Sequence, residues 1–170
     1  MSKNESELDW DKIYDEQVPR LYNFFRYRTG HTETAKDLTS QTMMRAWRFR
    51  HKYNDNLGAF EAWLFQIARS IAADDWRKNQ QPMITLIDAE QYASDMNVEA
   101  EIQKRDMATC LYQLLSELST QEQDIIALKF GADLTNRAIA DILSISESNV
   151  GTTLHRSIKK LKLQWELTYA

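Results

Sequence analysis

Residues 135–161, TNRAIADILSISESNVGTTLHRSIKKL, constrain this chain more than any other segment. Ala138, Ile139, Ile142 and Leu143 recur at helical spacing and predict a short helix with one apolar stripe. Ser146 is a good N-cap for a second helix. That helix is expected to bury Val150, Leu154, Ile158 and Leu161. Between them stand Ser148, Asn149, Thr152, Thr153, His155, Arg156 and Lys159, with no acid from Ser148 to Leu163. A helix of this width carrying hydrogen-bonding and cationic groups fits the major groove of duplex DNA. Paired amphipathic helices are also common in bundles that never touch DNA, so the remainder of the chain has to decide.

The 170 residues allow one medium domain or two small ones. Four Gly and two Pro are few, which favours long helices, and no alternating β-branched run marks a strand. Five Trp, seven Tyr and six Phe supply enough bulk for real cores. Helices are predicted over about 8–29, 33–52 and 59–78, with TGHT and the Asn- and Gly-bearing segment 53–60 as breaks. Segment 80–97 has a Pro and no sustained period, and reads as a linker. Helical patterning resumes near Val98. Ser119 and Glu122 form a capping box for a helix that ends near Phe130, with Gly131 placed to stop it. The fold class is therefore all-α, with two small helical domains, 1–79 and 98–170, joined by the linker and the second containing the helix-turn-helix.

Charge follows the same division. The formal net charge is −4, yet Arg20–Lys78 holds eleven basic residues against six acidic, while Asn79–Leu118 holds two against seven. Two interaction surfaces separated by an acidic tether are expected. The single Cys110 excludes an intramolecular disulfide and is expected in a core. No signal peptide or eighteen-residue apolar run is found, so a cytoplasmic protein with no membrane insertion is expected. His31, His51 and His155 lack metal-ligand spacing, Asp74 and Asp75 point different ways on a helix, and Gly-rich phosphate loops are absent. We expect no enzyme, no catalytic residue, no metal and no cofactor.

Several segments resemble one family in order and spacing. Ala35-Lys36-Asp37-Leu38 through Thr42, followed by Arg45-Ala46-Trp47, is similar to the AEDLVQETFLRAW segment of bacterial sigma-70 factors of the extracytoplasmic-function (ECF) type. Phe60-Glu61-Ala62-Trp63-Leu64-Phe65-Gln66-Ile67-Ala68-Arg69 resembles that family's FRAWLYRIAR segment, with Arg77 and Lys78 at its basic end. Leu118-Ser119 with Glu122, then Ile139-Ala140, Ile142-Leu143, Ser146, Asn149-Val150 and His155-Arg156, follow its helix-turn-helix domain. The resemblance implies a factor that binds RNA polymerase core and directs promoter recognition and transcription initiation. Its first domain would dock on the clamp helices of the largest subunit and open the downstream element. Its second would read the upstream element and contact the flap.

Site residues follow from chemistry and resemblance together. Ser148, Asn149, Thr152 and Thr153 are candidates for base edges, and Arg156 and Lys159 for phosphates of the upstream element. For the downstream element the resemblance places a base-capturing loop at 53–59. There Tyr53, Asn54 and Asn56 would contact an unstacked base, with Ser70 bearing on its identity and Arg69, Arg77 and Lys78 tracking the backbone. Trp47, Phe60 and Trp63 are read as core residues rather than stacking platforms. Asp37, Ser40, Gln41 and Met44 would form the polymerase-docking face.

The chain departs from the family at functional positions. Ser40 and Gln41 replace the usual Gln and Glu, and Ser70 an Asn. Ser144 replaces a turn Gly, which is strained if its φ is positive. Gly151 replaces a basic residue and weakens its helix. An anti-sigma factor is the regulatory partner usual for the family, and packing of the two domains together would lower DNA binding by the free protein. The competing readings are a helix-turn-helix regulator that works without polymerase and a sigma-like adaptor that opens no promoter.

Overall fold

A computed structural model describes residues 8–79 and 98–169, so the linker expected at 80–97 lies outside the described residues. Within them the architecture is all-helical: α1 (Trp10–Thr29), α2 (Thr32–Arg48), α3 (Phe60–Asn79), α4 (Val98–Ser116), α5 (Thr120–Ile126), α6 (Asn136–Leu143) and α7 (Glu147–Tyr169). Short 3-10 turns at Arg50–Lys52 and Asp55–Leu57 connect α2 to α3.

Local chemistry sets the ends. Asp9 caps α1 by accepting from the Lys12 amide at 3.1 Å, and Gly30 closes it in the left-handed region at φ 72°. Both halves of the Ser119–Glu122 capping box form. Thr135 caps α6, and Ser146 Oγ accepts from the Asn149 amide at 3.1 Å at the start of α7.

Helices α1–α3 bury Leu21, Phe24, Phe25, Leu38, Leu64, Phe65 and Ala68, and the Phe24 and Phe65 rings meet edge to face at 5.8 Å. Helices α4–α7 bury Leu115, Leu118, Ile125, Leu128, Ile139, Ile142, Val150 and Leu154. The two sets form one continuous apolar cluster. Helix α1 lies against the turn after α5, and α3 lies against α6.

Three expectations change. The helix after Ser119 does end at Gly131, but by widening into a π turn over Ala127–Gly131 rather than on a left-handed glycine, and the positive φ falls on Asp133, at 53°. A Cβ on Gly131 would sit 2.8 Å from the Asn23 carbonyl oxygen, so this glycine permits close approach to α1 rather than a helix stop. Ile158 is 44% exposed, because the inward position one turn after Leu154 goes to Ser157, at 1%. Cys110 is only partly buried, not a core residue.

Candidate nucleic-acid interface

Helix α7 presents the side chains expected to meet duplex DNA. Ser148, Asn149, Thr152, Arg156 and Lys159 are exposed and Thr153 is half-buried, while Val150 and Leu154 anchor the opposite side. The Thr153 hydroxyl donates to Asn149 Oδ1 at 3.1 Å, which holds the Asn149 amide before any ligand arrives. Ser157 donates to Glu122 Oε1 at 3.3 Å and so ties α7 to the capping box of α5. That carboxylate also accepts from the Ser119 amide, and these bonds to its charged form hold the Glu122 pKa below its usual range. In the turn, Ser144 adopts φ 54° and ψ 43°, the strained case for a residue that is not glycine.

The second surface belongs to α3 and the segment before it. Asn54 Oδ1 accepts from the Asn56 amide at 3.0 Å and folds residues 54–58 into a tight turn. The Tyr53 hydroxyl donates to the Gly58 carbonyl at 3.2 Å, and its ring packs on Phe60 and Trp63 at 5.3 and 5.6 Å. Burial and the charge of Asp55 raise the Tyr53 pKa, so its phenol stays protonated. A recess of about 460 Å³ opens between this turn and α3, lined by Tyr53, Asn54, Leu57, Trp63, Gln66 and Asp141. Gln66 was not among the expected residues; it is exposed one helical turn before Ser70.

Not every expected residue reaches that recess. Arg77 lies eleven residues beyond Gln66 on α3, about 16 Å along the axis, and pairs with Asp74 at 2.6 Å. It and the exposed Lys78 sit at the far end of the stripe. Arg69 faces away from the recess, toward Asp124 at 2.9 Å. Of the aromatic residues expected in the core, Phe60 and Trp63 are partly buried against it, but Trp47 is half-exposed. The Arg50 guanidinium covers the Trp47 ring at 4.1 Å and Trp10 meets its edge at 5.0 Å.

A third surface lies on α2. Asp37, Ser40, Gln41 and Met44 are exposed along one face, with Gln41 Nε2 donating to Asp37 Oδ2 at 2.8 Å. Ser40 and Met44 border a recess of about 400 Å³ between α1 and α2, floored by Val18, Thr39 and Met43. Asp75 of α3 lies close enough to Asp37 that, after burial itself, this like charge raises its pKa.

These surfaces coincide with two regions of known proteins. The family described as sigma-70 region 2 matches residues 13–81, and that described as sigma-70, region 4, matches residues 108–161. The chain belongs to the sigma-70 family, in its ECF group. It is 27% identical over 152 residues to the ECF RNA polymerase sigma factor SigM of Bacillus subtilis, covering 89% of this chain and 92% of that one. It is also 27% identical over 154 residues to BldN of Streptomyces coelicolor, covering 88% of this chain but 58% of the relative. Two solved structures share the fold. CnrH, in complex with the cytosolic domain of CnrY, superposes with a TM-score of 0.70 at 16% identity, covering 96% of this chain and 91% of the other. RpoE of Bartonella quintana, in complex with the anti-sigma factor NepR, gives 0.68 at 20%, covering 91% and 94%. Membership carries the family's general activity: binding to RNA polymerase and promoter-directed initiation of transcription. No described helix is long and apolar enough to cross a membrane.

Proposed function

We propose that the unit spanning 1–79 docks on the polymerase clamp helices and opens the downstream promoter element, while the unit spanning 98–170 reads the upstream element and meets the flap. The protein does this in the cytoplasm and catalyses no reaction of its own. Asp37, Ser40, Gln41 and Met44 make the polymerase contact. Tyr53, Asn54, Asn56 and Ser70 surround an unstacked base at the α3 recess, and Arg69, Arg77 and Lys78 follow the strand backbone. On α7, Ser148, Asn149, Thr152 and Thr153 address base edges while Arg156 and Lys159 neutralise phosphates.

The observation that carries this reading is the exposed, acid-free face of α7 from Ser148 to Lys159, on a helix whose start is fixed by Ser146. An anti-sigma factor is the proposed negative regulator, by likeness to RpoE with NepR. Co-purification with core polymerase followed by run-off transcription tests the reading. Stoichiometric capture and specific transcripts from a genomic promoter pool are expected. Specific duplex binding without capture would make the chain an independent regulator, and capture without any specific transcript would make it an adaptor.

A further inference from the structure

The arginines of the first unit fall into two groups. Arg20, Arg28, Arg69 and Arg77 each lie on a carboxylate. Arg45, Arg48 and Arg50, together with Lys52, do not. All four are exposed, no acid stands between Leu38 and Asn54, and among the described residues none of the four forms an ion pair. A surface run of one sign raises the local concentration of anions. The same stretch carries a misplaced ring. Trp47, whose spacing predicts a core residue, is 50% exposed. The Arg50 guanidinium lies 4.1 Å over its centroid, and Arg50 Nη1 donates to the Trp47 carbonyl at 2.7 Å. That bond and the ring hold the guanidinium in place while Arg50 stays exposed to solvent.

A line of rings leads from this pair to the recess beside α3. Trp47 meets Trp10 at 5.0 Å, Trp10 meets Phe60 at 5.8 Å, and Phe60 meets Tyr53, which lines the recess. Lys52 lines it too, with its Nζ 4.8 Å over the Phe49 ring. Arg77 and Lys78 stand at the opposite end of α3, so the run at 45–52 lies on the other side of the recess. A base stacks on a guanidinium plane as it does on an aromatic ring, and only an unpaired strand has a base free to do so. We infer that Arg50, backed by Trp47, is a second stacking platform for the opened strand: it takes the base of a nucleotide next to the captured one, while Arg48 and Lys52 neutralise the adjoining phosphates. The inference rests on the promoter-opening reading of the first unit and carries its strand path from α3 onto the end of α2.

The test uses the full chain and a fluorescein-labelled single-stranded oligonucleotide of mixed sequence, with anisotropy read over a series of salt concentrations. Arg50→Lys keeps the charge but loses the plane, and Trp47→Leu keeps an apolar contact for Trp10 but loses the ring beneath the guanidinium. Each is expected to weaken strand binding about tenfold, the worth of one stacked base, with the salt dependence unchanged. Arg48→Gln combined with Lys52→Gln should instead lower the slope of log affinity against log salt by about 1.4, the loss of two single-strand phosphate contacts. A fully paired duplex of the same sequence should be indifferent to Arg50→Lys, because its bases are already stacked on one another. Failure of the wild type to bind the strand, an Arg50→Lys variant that binds it as well as the wild type, a loss of the same size on the duplex, or a salt slope that ignores Arg48 and Lys52 would each overturn the inference. Circular dichroism checks folding, and Arg50→Lys decides the stacking alone where Trp47→Leu loses helix. Run-off transcription by the wild type with core polymerase tests the underlying reading separately, since transcripts can form whichever way these binding arms fall.

Discussion

At the scale of single residues, Ser144 and Asn149 show opposite relations between sequence and structure. Ser144 holds a left-handed conformation that disfavours side chains bearing a Cβ, at the C-cap where glycine is usual. Ser144→Gly is expected to stabilise the protein by about 0.5–1 kcal/mol, after allowing for the greater freedom of glycine in the unfolded chain. Thermal unfolding followed by circular dichroism should show the midpoint rise by about 1–4 °C, and an unchanged or lower midpoint would contradict the strain. Asn149 is held by Thr153 at the exposed start of α7, where a recognition helix enters the groove. Asn149→Ala should therefore relax selection at one base pair by about 1–3 kcal/mol while leaving other positions unaffected. Arg156→Ala should weaken all duplex sites alike and lower the salt slope by about 0.9. Competition binding over a set of single-base promoter variants separates the two patterns. The exposure of these residues was legible because polar side chains alternate with Val150 and Leu154 at helical spacing. Ile158 was misread for a related reason: a four-residue step from Leu154 is as regular as a three-residue step, and only packing against α5 selects Ser157.

At the scale of elements, the capping box links α5 to α7 through one carboxylate. Glu122 accepts from the Ser119 amide and from Ser157, and its folded pKa lies below its ordinary value. A carboxylate with a depressed folded pKa contributes stability that is complete above its unfolded pKa and is lost as pH falls through the folded value. Glu122→Gln keeps an acceptor but cannot titrate. Urea unfolding at a series of pH values should show the variant less stable than the wild type near neutrality, with the gap closing in acid. A gap independent of pH would mean that the charge contributes nothing. The helices themselves could be read from caps and periodicity, since Asp9, Ser119, Thr135 and Ser146 act on amides within one turn. The π turn at Ala127–Gly131 could not, because its register answers to the backbone of α1, more than a hundred residues away.

At the scale of the whole molecule, the charge pattern suggested cations free to meet nucleic acid, and the structure spends several of them internally. Arg20 pairs with Glu61 and binds the carbonyl of Ala132, Arg28 and Arg69 hold Asp124, and Arg77 pairs with Asp74. The contacts to Ala132 and Asp124 are not visible in composition, because a pairing across the linker depends on how two finished units meet, whereas Arg77–Asp74 is a local pair within one helix. The meeting also has a thermodynamic consequence. Buried side chains of both units form one apolar cluster, so each unit gains stability from the other. Unfolding of the wild type should therefore be a single cooperative transition in calorimetry. Gly131→Ala acts only where the units touch: its Cβ would meet Asn23 and Phe24 of α1, and the residue needs no positive φ within its own unit. The variant should keep its helical content at low temperature but unfold in two steps, the earlier one below the wild-type midpoint, because each unit then melts on its own surface. A single transition at the wild-type temperature would show that the contact between units adds no stability in solution, and that the apolar cluster is two cores that merely adjoin.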